Sequence, residues 1–127
     1  MELFVEDYNK FESWLNKLLK NEFSKSINAF NFNLYEGSEN TYDIQLIGSD
    51  EFEENEDWAC SEVYSSKEDI CYINRSENIE DWRDGFEYVK LMVTKYLESG
   101  IYKNKLLLVD AVGLGFVDGD IELIYKK

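Results

Sequence analysis

The clearest local structural signal in the sequence is VGLGFVDGDIELIY, from Val112 to Tyr125. It contains Asp118-Gly119, a dipeptide favoured in two-residue β-hairpin turns. Folding the chain there gives three apolar pairs: Phe116 with Ile121, Leu114 with Leu123, and Val112 with Tyr125. Because successive side chains of a strand alternate between its two faces, the three pairs share one face, and a shift of one residue would break them all. The stretch therefore predicts a C-terminal antiparallel hairpin with one face in the core.

Apolar residues at steps of three and four predict two amphipathic helices. The first spans about residues 4–22, and the second begins at about Ile79 and continues to about Tyr96. Ser76 or Asn78 is placed to cap the start of the second helix, and Gly100 is placed to end it in the left-handed conformation. Trp82 lies on the apolar stripe of this helix and is expected in the core.

Alternation of apolar and polar residues predicts strands over residues 27–35 and 41–47, joined by the turn EGSEN into an antiparallel hairpin. WACSEVY, residues 58–64, predicts a third strand, and residues 70–73 are a candidate for a short edge strand. The resulting order is α-β-β-β-α-β-β. We therefore expect a single α+β domain over residues 1–127, with a largely antiparallel sheet and two helices on one side.

The charge balance excludes several classes of function. The chain has 27 acidic and 13 basic residues, a formal net charge of −14, and no histidine. Nucleic acids and anionic membranes are bound by clustered Lys and Arg, so neither is expected as a direct ligand. The absence of histidine excludes His-based triads and the usual transition-metal sites. No stretch reaches the roughly 20 apolar residues of a membrane span, and the N-terminus lacks the pattern of a signal peptide, so we expect a cytoplasmic protein.

Two small motifs have structural explanations. Gly113, Gly115 and Gly119 give the spacing GxGxxxG, which does not match a phosphate-binding loop and has no helix after it. Glycines within a strand more often mark a bulge or a place where another element packs closely. Asp118 and Asp120 are explained by the turn and by an exposed strand start. We expect no metal site and no cofactor.

The two cysteines, Cys60 and Cys71, lie eleven residues apart. This spacing makes neither a disulfide framework nor a zinc site. Buried, reduced thiols are the better interpretation, and they agree with a cytoplasmic location.

DEFEENED, from Asp50 to Asp57, places six carboxylates in eight residues and is followed at once by Trp58. It is predicted to be the loop between the second and third strands. One interpretation is a solvated loop that improves solubility. The interpretation we favour is a docking surface for a basic protein, because a focused negative potential accelerates encounter with a positive patch. The candidate partner-binding residues are Asp50, Glu51, Phe52, Glu53, Glu54, Glu56, Asp57 and Trp58.

Trp58 has two interpretations of similar weight. An aromatic residue beside charged neighbours is typical of a protein–protein hot spot, in which the ring is the anchor and the charges select the partner. The alternative is a strand residue that faces the core.

An enzyme is the less favoured class. With 27 Asp and Glu residues, coincidental carboxylate pairs are inevitable, and no nucleophile, base and orienting group occur together. We therefore predict a binding protein and not an enzyme. Its alternatives are a DNA-mimic or regulatory module for a basic host protein and, with less support, a small carboxylate-dependent enzyme.

DWACSEVYSS, from Asp57 to Ser66, and VGLGFVDGDIELIY resemble the sequences of immunity proteins of bacterial toxin systems. The resemblance implies a role: binding a cognate toxin domain, often a nuclease, and blocking it inside the producing cell. Nucleases bind polyanions, so their clefts are basic and an acidic inhibitor complements them. The resemblance assigns no functional residue.

Overall fold

The computed structural model describes residues 2–23, 26–53 and 58–127. Three α-helices and six strands are found in these ranges. The helices are α1 (Glu2–Leu19), α2 (Trp82–Ser99) and α3 (Lys103–Leu107). The strands are β1 (Ala29–Gly37), β2 (Thr41–Ser49), β3 (Glu62–Ser65), β4 (Cys71–Asn74), β5 (Ala111–Phe116) and β6 (Glu122–Lys126). Short 3₁₀ turns cover Trp58–Cys60 and Glu77–Ile79.

The strands form one mixed sheet in the order β3-β2-β1-β5-β6, and β4 also pairs with β2. All pairings are antiparallel except that of β1 with β5, which is parallel. The predicted α+β class and the first hairpin are confirmed, and the candidate edge strand is present as β4. The parallel pair was not predicted. It forms because α2 and α3 carry the chain from β4 to the far side of β1, where β5 runs in the same direction as β1.

The main core lies between one face of the sheet and the two long helices. Phe30, Phe32 and Leu34 of β1 point into it, and the ring of Phe11 in α1 lies 5.8 Å from that of Phe32. Val89 and Tyr96 of α2 are fully buried in the same cluster. Alternating side chains of β1 thus meet the apolar stripes of both helices, as the periodicity predicts.

A second, smaller cluster lies on the opposite face of the sheet. Ala29 of β1 and Ala111 of β5 are buried there beneath Trp58. Small side chains at these positions leave room for the indole ring on a face that the helices do not cover. Residues 58–60 therefore form a 3₁₀ turn over the sheet, and the predicted third strand is shorter than expected, beginning only at Glu62.

The C-terminal hairpin is present, but its predicted register is wrong. Val112 pairs with Tyr125 as expected, whereas Gly113 pairs with Leu123 and Leu114 with Glu122. The irregularity leaves Ile124 without a partner on β5. No glycine has a positive φ, so Asp118-Gly119 does not form the two-residue turn that the prediction assumed.

The glycines of β5 explain the altered register. A Cβ at Gly113 would lie 2.7 Å from Cγ2 of Ile121, and a Cβ at Gly115 would lie 2.6 Å from the Asp120 carbonyl oxygen. The segment before β6 therefore crosses directly over β5, which only glycine permits. The interpretation of these glycines as marks of a bulge or of close packing is confirmed.

The ends of α2 differ from the prediction. Asp81 is its N-cap, with its carboxylate accepting a hydrogen bond from the Arg83 N–H at 2.8 Å, because the 3₁₀ turn Glu77–Ile79 separates the predicted caps from the helix. Gly100 is the C-cap, but its φ of −66° is not left-handed. A Cβ there would lie 2.6 Å from Cδ1 of Tyr96, so glycine is needed for space and not for φ.

Candidate functional site

The acidic segment, residues 50–57, follows β2 directly, as predicted. Asp50, Glu51 and Glu53 are exposed, while Glu54, Asn55, Glu56 and Asp57 lie outside the described residues. One serine joins the two ends of the segment: the Ser49 hydroxyl donates to the Trp58 carbonyl oxygen at 2.6 Å and accepts from the Glu51 N–H at 3.1 Å. The Asp50 N–H also donates to the Ser61 carbonyl oxygen at 3.3 Å. The beginning and end of the segment are thus fixed side by side.

Phe52 of the segment and Trp58, directly after it, hold the segment against the sheet. The rings of Phe52 and Trp58 meet edge to face with their centroids 5.5 Å apart. Trp58 is only 4% exposed, in the cluster with Ala29 and Ala111. The core interpretation of Trp58 is the one that the structure shows, and its ring is not on the surface as an anchor for a partner.

The described carboxylates of the segment, those of Asp50, Glu51 and Glu53, have no ion-pair partner among the described residues. No Lys or Arg occurs from Asp50 to Ser66. The Glu51 carboxylate accepts a hydrogen bond from the Ser61 hydroxyl at 2.9 Å. Neither Asp50 nor Glu53 has an ion-pair partner among the described residues. The described part of the segment therefore presents outward negative charge on an apolar base.

A second acidic surface was missed by sequence reasoning. A cavity of about 600 Å³ lies between the start of α2 and the turn that joins β5 to β6. Its walls are three aromatic rings and four carboxylates: Trp82, Phe86, Phe116, Glu36, Asp118, Asp120 and Glu122. The local signal for this surface in the sequence is Asp118-x-Asp120, for which the turn and an exposed strand start are the predicted explanations.

Trp82 was expected in the core, but the structure shows that its side chain is 49% exposed. It is the first residue of α2, and the buried residues of this helix begin only at Gly85. Its ring contacts that of Phe116 edge to face, with centroids 6.0 Å apart. The apolar stripe of α2 therefore enters the core only from Gly85 and Val89 onward.

The cysteines differ in environment. Cys71 is buried, as predicted, and burial raises the pKa of its thiol to about 12. Cys60 is exposed, so the expectation that both thiols are buried is wrong for this residue. Cys60 lies in the same 3₁₀ turn as Trp58. The side chain of Trp58 is the buried one of this turn, and the Cys60 thiol is left exposed. Both thiols are free.

Within the described ranges, no group of three or more acidic or cysteine side chains is arranged to hold a metal ion. None of the helices described is long and apolar enough to cross a membrane. No family model matches the chain, and searches of curated proteins and of solved structures gave no significant match.

Proposed function

We propose that this chain is an acidic protein-binding inhibitor of the immunity type, which covers the basic surface of a cognate toxin domain. The observation that supports this most directly is the outward charge of the acidic segment on its fixed base. Phe52 and Trp58 pack on the sheet, while Asp50, Glu51 and Glu53 face solvent with no Lys or Arg nearby in the sequence.

The fixed ends of the segment favour binding over simple solubility. A loop that is already held by Ser49 and Trp58 has less conformational freedom to lose when a partner binds. Negative charge held in one place also steers a basic partner toward that place more effectively than dispersed charge. A toxin nuclease fits this surface because its cleft must attract a polyanion.

The test begins with affinity capture of the partner from the native host, followed by an assay of whether the purified chain inhibits its activity. The proposal expects a toxin domain whose activity falls as the complex forms. A captured partner that is a host nucleic-acid-binding protein would instead assign the chain to the DNA-mimic class. An active partner that the chain does not inhibit would overturn the inhibitor role.

The kinetic test uses a variant with Asp50→Asn, Glu51→Gln, Glu53→Gln and Glu54→Gln, which keeps side-chain shape and removes four charges. Its association rate constant should fall by at least about tenfold at low ionic strength. The difference should shrink near about 0.5 M salt, where the Debye length is roughly 4 Å.

The matched control removes the same number of charges from exposed positions elsewhere: Glu6→Gln, Glu77→Gln, Glu87→Gln and Glu98→Gln. This variant should associate within about threefold of the unmodified chain, since none of its charges belongs to the acidic segment. If both variants associate equally fast, the acidic segment has no special part in docking and is a solvated loop.

A further inference from the structure

The cavity beside Trp82 combines an apolar wall with a negative rim. Phe116 lies at the end of β5, and its ring contacts both Trp82 and the buried Tyr42, with centroids 6.0 and 6.2 Å apart. Phe86, one turn after Trp82 in α2, completes the aromatic wall. These rings come from two elements that the main core fixes in place, so the wall is preformed.

The negative rim comes from three different parts of the chain. Asp118 and Asp120 belong to the turn after β5, and the parallel pairing of Leu34 with Phe116 brings Glu36 beside that turn. Glu122 forms an ion pair with Lys90. Glu36, Asp118 and Asp120 have no ion-pair partner in the part of the chain that the structure describes. The rim therefore carries three uncompensated carboxylates.

The start of α2 does not reverse this charge. A helix N-terminus carries roughly half a positive charge, which favours anions. Here the Asp81 carboxylate accepts from the Arg83 N–H and is also paired with the Arg83 guanidinium at 3.4 Å, whereas Asp84 in the same first turn has no ion-pair partner among the described residues. Asp84 and the three uncompensated carboxylates of the rim outweigh the helix dipole, so the cavity favours a cation.

The ligand chemistry follows from the walls. A guanidinium group is planar, stacks on aromatic faces and donates hydrogen bonds in a fork that matches carboxylates, whereas an ammonium group is a strongly hydrated point charge. The chain already shows the stacking part of this chemistry, because the guanidinium carbon of Arg83 lies 5.3 Å from the ring centroid of Trp82. Arg83 itself does not line the cavity.

We propose that this cavity receives an arginine side chain of the basic partner, with the guanidinium between the aromatic wall and the carboxylates of Asp118 and Asp120. A volume of about 600 Å³ is sufficient for such a side chain and part of its backbone. The inference rests on the proposed function for the identity of the partner. The chemistry of the cavity can be tested without that partner.

The first experiment uses a defined probe, the peptide acetyl-Gly-Arg-Gly-amide, and NMR spectroscopy of the three indole N–H groups in the ¹⁵N-labelled chain. Trp82 is 49% exposed, whereas Trp14 and Trp58 are 6% and 4% exposed and serve as internal references. The Trp82 signal should shift in a saturable way with a dissociation constant on the order of 1 mM, while the other two stay in place. The peptide with citrulline in place of arginine keeps the shape without the charge, and it should bind at least about fivefold more weakly.

Variants separate the cavity from general charge. Asp118→Asn with Asp120→Asn should weaken the arginine peptide at least about fivefold, whereas Asp50→Asn with Glu53→Gln, which removes the same charge, should change its affinity by less than about twofold. Trp82→Ala, followed through the backbone amide signals of Asp118 and Asp120, should also weaken the arginine peptide at least about fivefold. Leu91→Ala, which truncates an exposed apolar side chain of the same helix, is its control and should not. Equal binding of the arginine and citrulline peptides, or no shift of Trp82, would overturn the inference.

The second experiment uses the captured partner. Trp82→Ala should raise the dissociation rate constant at least about fivefold, because it removes a packed contact, and Leu91→Ala should not. If the acidic-segment variant slows association but Trp82→Ala leaves dissociation unchanged, the proposed function stands and the arginine site is wrong. If the chain inhibits no partner but the peptide binds as expected, the proposed function fails and the cavity remains a guanidinium site.

Discussion

Gly85 lies so close to Tyr42 that a Cβ at position 85 would be only 2.6 Å from the tyrosine hydroxyl oxygen. That hydroxyl donates to the Ile79 carbonyl oxygen at 2.6 Å, just before α2 begins. Tyr42 is fully buried in β2, so this contact seats the first turn of α2 on the sheet. The same contact fixes the place of Trp82 at the mouth of the cavity.

Gly85→Ala is therefore expected to destabilise the chain, although alanine is the better helix former by about 1 kcal/mol. Overpacking against a rigid buried ring costs more, so the free energy of unfolding should fall by at least about 1 kcal/mol in urea titrations. Glu87→Ala, at an exposed position of the same helix, should change it by less than about 0.5 kcal/mol. A Gly85→Ala variant as stable as the original would show that Tyr42 can move aside.

Ending the chain after Val117 should abolish cooperative unfolding. The deletion removes Ile124 and Tyr125 from the main core and Leu123 from the cluster around Trp58, so it opens both faces of β5. It also removes the hydrogen bond from the Tyr125 hydroxyl to the Leu107 carbonyl oxygen at 3.1 Å. Thermal unfolding followed by circular dichroism is the measurement. A truncated chain with a sharp transition would mean that β6 is peripheral.

The two thiols should react at very different rates. At about pH 8, a disulfide reagent such as dithionitrobenzoate should modify exposed Cys60 quickly. Cys71 should react at least about a hundredfold more slowly, since burial raises its pKa to about 12 and access requires unfolding. The Cys60→Ser variant isolates Cys71, and its thiol should become reactive in denaturant. Rapid labelling of that variant without denaturant would place Cys71 at the surface.

Stability should fall at alkaline pH. Burial raises the pKa of Tyr96 to about 12, and burial is also the main cause of the raised pKa values of Tyr42 and Tyr88. The folded chain holds these phenolic protons more tightly than the unfolded chain. The contribution of these buried phenols to the free energy of unfolding is therefore complete below about pH 10, and it is lost as the pH rises from about 10 toward 12.

Urea titrations should accordingly give a nearly constant free energy of unfolding between about pH 7 and 9, and a progressive decrease from about pH 10. Tyr72→Phe is the control, because Tyr72 is 51% exposed and its substitution should leave the pH dependence unchanged. A free energy of unfolding that stays constant to about pH 11 would contradict the burial of these hydroxyl groups.

Much of the fold follows from local patterns. The stripe that includes Phe11 and Leu15 predicts α1, and the alternation of Phe30, Phe32 and Leu34 predicts β1 and the face it buries. These predictions hold because the periodicity within one helix or strand determines which of its side chains share the buried face. The register of β6 did not follow, since it depends on the close approach of Ile121 to Gly113 across two strands.

The candidate sites divide in the same way. The acidic segment is visible in the sequence because its charges are consecutive. The cavity is not, because Glu36, Trp82 and Asp118 come together only through the parallel pairing of β1 with β5 and the seating of α2 on Tyr42. The burial of Trp58 also depends on distant partners, namely the small side chains of Ala29 and Ala111.

Ser49, Phe52 and Trp58 hold the two ends of the acidic segment together and so separate its anchoring from its length. The contacts that close its ends are made by these three residues, which lie on either side of residues 54–57. Doubling the length of such a loop costs only about 0.6 kcal/mol in closure entropy. We therefore expect that lengthening the chain between Glu53 and Trp58 costs little stability as long as the contacts of Ser49, Phe52 and Trp58 are kept.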